Sequence, residues 1–191
     1  MIGENILNRV WEGCLNNDRK QEELLYRLLS PRMLAVCMRY AHDRDEAQDI
    51  LQEGFIKIFR NRNHYRGEGS LEGWVRRIMI HSAISRYRRQ RPVILQGDML
   101  EPGTASQAYE FTSLEAKDLL KMIQQLPDTY RSVFNLYAIE GYSHQEIGNK
   151  LGMTELLSRT TLHRARAILK NKLAKLDMAG AQRMAGRSLR F

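Results

Sequence analysis

Between Asp43 and Asp49 the chain places four carboxylates, Asp43, Asp45, Glu46 and Asp49. Acids this close together are the raw material of a calcium loop or a two-metal site. Their spacing suits neither. A calcium loop needs Gly at its sixth position and Glu at its twelfth, and counting from Asp43 those positions hold Gln48 and Gly54. On a helix the four acids spread over several faces and do not converge on one point. His42, His64 and His144 lack ligand-spaced partners, and Cys14 and Cys37 are too few for a four-ligand zinc site or a disulfide scaffold. The expectation is a protein with no metal, no cofactor and no catalytic residues.

The chemistry that the chain does concentrate is cationic. Residues 76–91 contain six Arg and no acid, and residues 159–175 contain six basic groups and no acid. The net charge of +8 is distributed as +5 over residues 1–91, −3 over 92–113 and +6 over 114–191. Two acid-free basic segments, one on each side of an acidic strip, suit a polyanion gripped at two places. The plainer alternative is two solvated helix faces.

The second basic segment also has a recognisable form. Ser143 and Glu146 make a capping-box pair for a short helix, Gly152 permits a tight turn, and Thr154 can cap a long helix after it. Two helices joined by a short glycine-bearing turn are a helix-turn-helix, whose second helix enters the major groove of DNA. Along that helix Leu162, Ala165, Leu169 and Leu173 recur on a core-facing side. Arg159, His163, Arg166 and Lys170 fall on another side, with Thr160 and Arg164 close by. Arg there suits either a guanine edge or a phosphate.

These segments must be carried on helices, because no stretch reads as a strand. Ile6, Leu7, Val10, Trp11 and Cys14 recur at helical spacing, and Asn16–Asn17 interrupts them. Leu24, Leu25, Leu28 and Leu29 mark a second helix, and Ser30–Pro31 predicts the start of a third. Asp43 and Glu46 cap a helix with the stripe Ala47, Ile50, Leu51, Phe55, Ile58 and Phe59. A polar loop, residues 61–69, precedes Ser70, which can cap the helix bearing Trp74, Val75, Ile78, Met79 and the Arg block. Residues 92–113 have no helical period and hold Pro92, Pro102, Gly97 and Gly103, so they read as a linker. Beyond it, Leu119, Met122, Ile123 and Leu126 form a stripe that Pro127 breaks, and Gly141 is placed to end the helix of Val133, Phe134, Leu136 and Tyr137. The predicted architecture is all-α: two small helical domains, residues 1–91 and 114–176, an acidic flexible linker at 92–113, and a basic tail at 177–191.

At 191 residues and 43% apolar content the chain can build two small cores. Its longest unbroken apolar run, Met33 to Met38, is far below the roughly 20 residues of a membrane span. With no secretory leader pattern and two cysteines, a reducing cytoplasm is the expected location.

Three segments, in this order and separation, resemble one family. DEAQDILQEGFIKIFRN (Asp45 to Asn61), GWVRRIMIHSAISRYRR (Gly73 to Arg89), and LPDTYRSVFNLYAIEGYSHQEIGNKLGMTE followed by LHRAR resemble regions 2.2, 2.3–2.4 and 4 of bacterial sigma-70-family RNA polymerase sigma factors of the extracytoplasmic-function (ECF) group. The resemblance covers roughly residues 20 to 175 and implies promoter-specific transcription initiation with core RNA polymerase, contacted through its β′ coiled coil and β subunit. By that resemblance Asp49, Gln52 and Glu53 would bind the β′ coiled coil. Tyr65, Arg66, Arg77, His81, Arg88 and Arg89 would hold the melted minus-ten strand. Ser158, Arg159, Thr160, His163, Arg164 and Arg166 would contact the minus-35 duplex. It further implies an anti-sigma factor, which can hold such a protein at the inner membrane without insertion, and a linker threaded through the polymerase.

The sequence departs from the family pattern at three places. His81 stands where Asn is usual, Ser85 where Asp is usual, and Leu156–Leu157 where Gly-Thr is usual. The leucines lack a donor and are bulkier, so weakened phosphate contact at the minus-35 element is expected. Two other classes compete. A one-component helix-turn-helix regulator, not associated with core polymerase, would need a sensor or dimerisation element within residues 1–91, where this chain has a basic helix and an acidic one. A nuclease would need converging acids, which the spacing denies.

Overall fold

The computed structural model describes residues 4–90 and 116–187. The expected linker, residues 92–113, and the last four residues lie outside the described part. Every described element is helical, and the chain divides into two compact units, Met1–Arg91 and Pro92–Phe191.

The first unit is built from α1 (Glu4–Leu15), α2 (Arg19–Met38), α3 (Arg44–Arg60), a 3-10 turn (Arg62–His64) and α4 (Leu71–Gln90). Helices α2, α3 and α4 start on polar caps. Asp18 accepts from Lys20 N–H at 2.8 Å, Asp43 from Glu46 N–H at 2.8 Å, and Ser70 from Gly73 N–H at 3.1 Å. Glu46 returns its carboxylate to His42 N–H at 2.8 Å, one residue earlier than in a standard capping box. The apolar stripes expected on α1, α3 and α4 face inward, with Trp11, Cys14, Ile50, Leu51, Phe55, Val75 and Met79 all buried, except that Ile6 at the start of α1 is exposed. Gly54 lets α3 and α4 approach closely, since a Cβ there would strike the Met79 thioether.

One expectation fails in this unit. Ser30–Pro31 does not start a helix, because α2 runs unbroken through Pro31. Pro31 occupies an exposed position, while Leu25, Leu29, Met33 and Val36 continue one buried stripe past it. Burying side chains of this size contributes about 1.5–3 kcal/mol each. Together they outweigh the roughly 3 kcal/mol that an internal proline costs.

Arg62 ties three segments of the first unit together. It donates from Nη1 to Cys14 O at 2.6 Å and to the Glu22 carboxylate at 2.8 Å, and from Nε to Phe59 O at 2.8 Å. Both cysteines are buried. Burial, with Glu22 second, pushes the Cys14 thiol up to about 11, and burial pushes Cys37 up to about 12. Neither is a thiolate at neutral pH, so neither is poised for redox or nucleophilic chemistry.

The second unit contains α5 (Ala116–Gln124), α6 (Asp128–Phe134), a π-helical segment (Asn135–Ile139), α7 (His144–Leu151) and α8 (Glu155–Arg187). Pro127 separates α5 from α6, as its ring chemistry demands. The core gathers Met122, Leu126, Tyr130, Ala165 and Leu169, with Phe134, Ile168 and Leu173 packed against it. Arg131 is buried despite its charge, at 2% exposure. Its guanidinium donates to Gln124 O at 2.6 Å and to Asp128 at 2.7 Å, so the end of α5 is fastened to the start of α6. Part of the expected basic tail is helical, since α8 continues to Arg187.

Candidate nucleic-acid interface

In the second unit, four local devices fix the angle between α7 and α8. The capping box is complete: Ser143 Oγ accepts from Glu146 N–H at 3.2 Å, and Glu146 accepts from Ser143 N–H at 2.8 Å. That exchange holds the Glu146 carboxyl below its ordinary range. Gly152 closes α7 in the left-handed region at φ +71°, where a side chain would be strained. Gly148 faces the turn, and a Cβ on it would lie 2.6 Å from the backbone oxygen of Met153. Thr154 then caps α8, its hydroxyl accepting from Leu157 N–H at 3.2 Å.

With the turn set, α8 presents two faces. Leu162, Ala165 and Leu169 are buried, while Arg159, Thr160, His163, Arg164, Arg166 and Lys170 are exposed. Arg159 is steadied by Glu155, with Nε donating at 3.1 Å. Thr160 donates its hydroxyl back to Leu157 O at 3.0 Å, which leaves it as an acceptor. Ser158, expected at the minus-35 duplex, differs from these exposed residues. It is fully buried, with its hydroxyl 2.9 Å from His144 Nδ1, so it ties α8 to α7 and lies off the exposed face. The leucine pair also separates: Leu156 is exposed, whereas Leu157 is half-buried.

A feature that periodicity did not reveal supports Arg166. The π-helical segment carries Glu140 N–H to Asn135 O at 3.0 Å, and Tyr137 within it lies at the surface. Its ring stacks on His144, with centroids 4.5 Å apart and planes 20° apart. The Arg166 guanidinium lies 5.5 Å from the Tyr137 centroid, within cation–π range. Burial first, then the positive charge of Arg159, holds the His144 pKa below its ordinary value. Short π segments recur at functional sites, but the residue types of this one give no warning of it.

In the first unit the Arg block divides by face. Arg77, His81, Ser85 and Arg88 form an exposed stripe along α4, at spacings of four, four and three. The loop before α4 is held down by three rings. Trp11–Trp74, Tyr65–Trp74 and Trp11–Tyr65 have centroids 5.4, 5.5 and 5.9 Å apart. Tyr65 also donates its hydroxyl to Gly69 O at 2.8 Å. Tyr65 is therefore half-buried and shapes the loop, while Arg66 next to it is exposed.

The opposite face of α4 meets the acids of α3. Arg86 lies 3.0 Å from Asp49, 3.4 Å from Glu46 and 3.6 Å from Glu53, and Arg89 reaches Glu53 at 2.8 Å. Gln52 is exposed beside them. An exposed pair such as Arg89–Glu53 contributes about 0–1 kcal/mol, so another cation can replace Arg89, whereas Arg86 and Glu46 are mostly buried. Sequence reasoning did not single out Arg86. The matching helical spacing of Glu46, Asp49 and Glu53 with Arg86 and Arg89 was the available signal.

Both units match known families. Residues 25–93 match the family described as Sigma-70 region 2, and residues 116–169 match Sigma-70, region 4. RNA polymerase sigma factor YlaC of Bacillus subtilis is 31% identical over 163 residues, which cover 82% of this chain and 94% of that one. ECF RNA polymerase sigma factor SigE of Mycolicibacterium smegmatis is 32% identical over 165 residues, covering 83% of this chain and 63% of its own longer one. RNA polymerase sigma-H factor of Pseudomonas aeruginosa is 27% identical over 186 residues, covering 91% and 94%. The region 2 match contains the α3 acids and the α4 Arg stripe, and the region 4 match contains the helix-turn-helix up to Leu169. The chain therefore belongs to the sigma-70 family, as a sigma factor of the extracytoplasmic-function type.

Proposed function

We propose that this sigma factor divides promoter recognition between its units in the following way. The α3 face of Asp49, Gln52 and Glu53 binds core polymerase at the β′ coiled coil. The exposed α4 stripe, with Arg66 from the loop, holds the melted minus-ten strand: Arg77 and Arg88 on phosphates, His81 on a base. The exposed face of α8 enters the major groove of the minus-35 duplex through Arg159, Thr160, His163, Arg164 and Arg166. The residues between the units act as the linker. The protein needs no cofactor and performs no catalysis of its own.

The observation that carries this reading is the division of the Arg block. Arg86 and Arg89 turn to the α3 acids, while Arg77 and Arg88 remain on the outer stripe. One helix thus serves two interfaces. A one-component regulator would need a sensor in this half, and the region 2 match occupies it. No described helix is long and apolar enough to cross a membrane. The working location is the cytoplasm, where an anti-sigma factor would cover one or both faces.

The test is binding of the reconstituted holoenzyme to single-stranded non-template DNA, titrated against salt. Arg77→Ala should weaken binding on every sequence and make the logarithmic salt slope shallower by about 0.7. His81→Ala should flatten the preference at one base and leave the slope unchanged. A uniform loss with His81→Ala would mean that His81 supports the helix and does not read a base.

A further inference from the structure

Leu156 is the most exposed large apolar side chain among the described residues, at 71%. It lies in the first turn of α8, the end of a recognition helix that meets base edges. Its neighbour Leu157 is half-buried, so burial explains one leucine of the pair and not the other.

The polar chemistry around Leu156 speaks against a phosphate contact there. The Leu157 N–H is taken by Thr154 Oγ1 at 3.2 Å. The Glu155 carboxylate occupies the same first turn, held by Arg159 Nε at 3.1 Å. A phosphate arriving at this helix start would meet a carboxylate and a leucine. Further along the same helix, Arg164, Arg166 and Lys170 are exposed and cationic. The helix therefore favours a polyanion along its length and an uncharged, apolar group at its start. A partner protein burying Leu156 would also have to desolvate those cations, which a DNA duplex neutralises instead. The major groove offers one apolar group, the C5-methyl of thymine.

We infer that Leu156 is a specificity-determining residue that packs on a thymine C5-methyl in the minus-35 duplex. The inference rests on the proposed entry of α8 into the major groove. The contact exchanges no hydrogen bond. Its selectivity comes from removing one methyl and part of a leucine from water, so it discriminates thymine from other bases by about fourfold. It also accounts for Leu at a position where a phosphate-binding helix start would favour a small or hydroxylated residue.

Uracil separates this contact from every other feature of thymine, because it pairs identically and lacks only the methyl. Holoenzyme reconstituted from the full chain and bacterial core RNA polymerase is used to capture DNA from a promoter-length duplex pool, randomised over its upstream half. One copy of the pool is made with dTTP and one with dUTP, and the bound fractions are sequenced. The wild-type chain should enrich a minus-35 motif with one position favouring thymine about fourfold. That preference should vanish in the dUTP pool while the rest of the motif persists. Leu156→Ala, at an exposed position, should fold normally by circular dichroism and give the same motif in both pools without the thymine preference. An unchanged wild-type motif in the dUTP pool, or retention of the thymine preference by Leu156→Ala, would overturn the inference and leave base reading by α8 intact. Absence of any minus-35 motif in either pool would overturn both.

Discussion

Glu53→Lys should lower the affinity of the chain for core RNA polymerase by roughly thirtyfold or more, the cost of reversing one member of a close interfacial charge pair. Glu53 is the acid that both arginines share, 2.8 Å from Arg89 and 3.6 Å from Arg86. A lysine there would repel both arginines and also the basic side chains of a coiled coil. The substitution spares the core, because Ile50, Leu51 and Phe55 occupy the buried side of α3. Far-UV circular dichroism should therefore be unchanged, and the loss should appear in anisotropy titrations of labelled chain with core enzyme. Glu53→Gln should fall between the two, since it removes attraction without adding repulsion. Equal affinity for all three forms would place the polymerase contact elsewhere.

Gly148→Ala should disable the second unit while sparing the first. Its added Cβ would meet the backbone oxygen of Met153 at 2.6 Å and the backbone nitrogen of Glu155 at 3.6 Å. Backbone cannot rotate aside as a side chain can, so α7 must shift away from the turn. Overpacking of this kind costs about 1–3 kcal/mol, and the shift also disturbs the Ser158–His144 contact that sets α8. Binding of holoenzyme to duplex minus-35 DNA should fall by about tenfold or more, the equivalent of 1.4 kcal/mol. Binding to single-stranded minus-ten DNA should not change. An unaltered melting temperature and duplex affinity would show that the turn tolerates a side chain and does not set the reading angle.

The sequence made the helices and their caps legible where local chemistry decides them. The Ser143–Glu146 box, Gly152, Thr154 and the stripe Leu162–Ala165–Leu169 all appear where spacing placed them. It misled where tertiary packing outweighs a local preference. Pro31 lies inside α2 because the buried stripe on either side of it is worth more than the lost hydrogen bond. The buried Arg131 was invisible for a related reason, since its partners are two backbone carbonyls and Asp128 at a turn that periodicity does not describe. The π segment arises from one extra residue per turn, and no residue type specifies that.

The site was legible by face and less so by residue. The exposed positions Arg77, His81, Arg88, Arg159, His163, Arg164 and Arg166 share outer surfaces, as their spacing requires. Ser158 does not, because a small hydroxyl one turn from the cap serves equally well as an internal tie. Tyr65 is likewise committed to Trp11 and Trp74. The pairing of Arg86 and Arg89 with α3 depended on which two helices pack together, and that is tertiary information.

As a sigma factor, this chain should redirect core RNA polymerase to promoters, which transcription in vitro from a fragmented bacterial genome, with purified core polymerase in the presence and absence of the chain, would show. Chain-dependent transcripts should appear whose start sites share upstream minus-ten and minus-35 motifs, and they should be lost with Glu53→Lys. Stable binding of the chain to DNA with no association with core polymerase and no chain-dependent start sites would contradict this expectation.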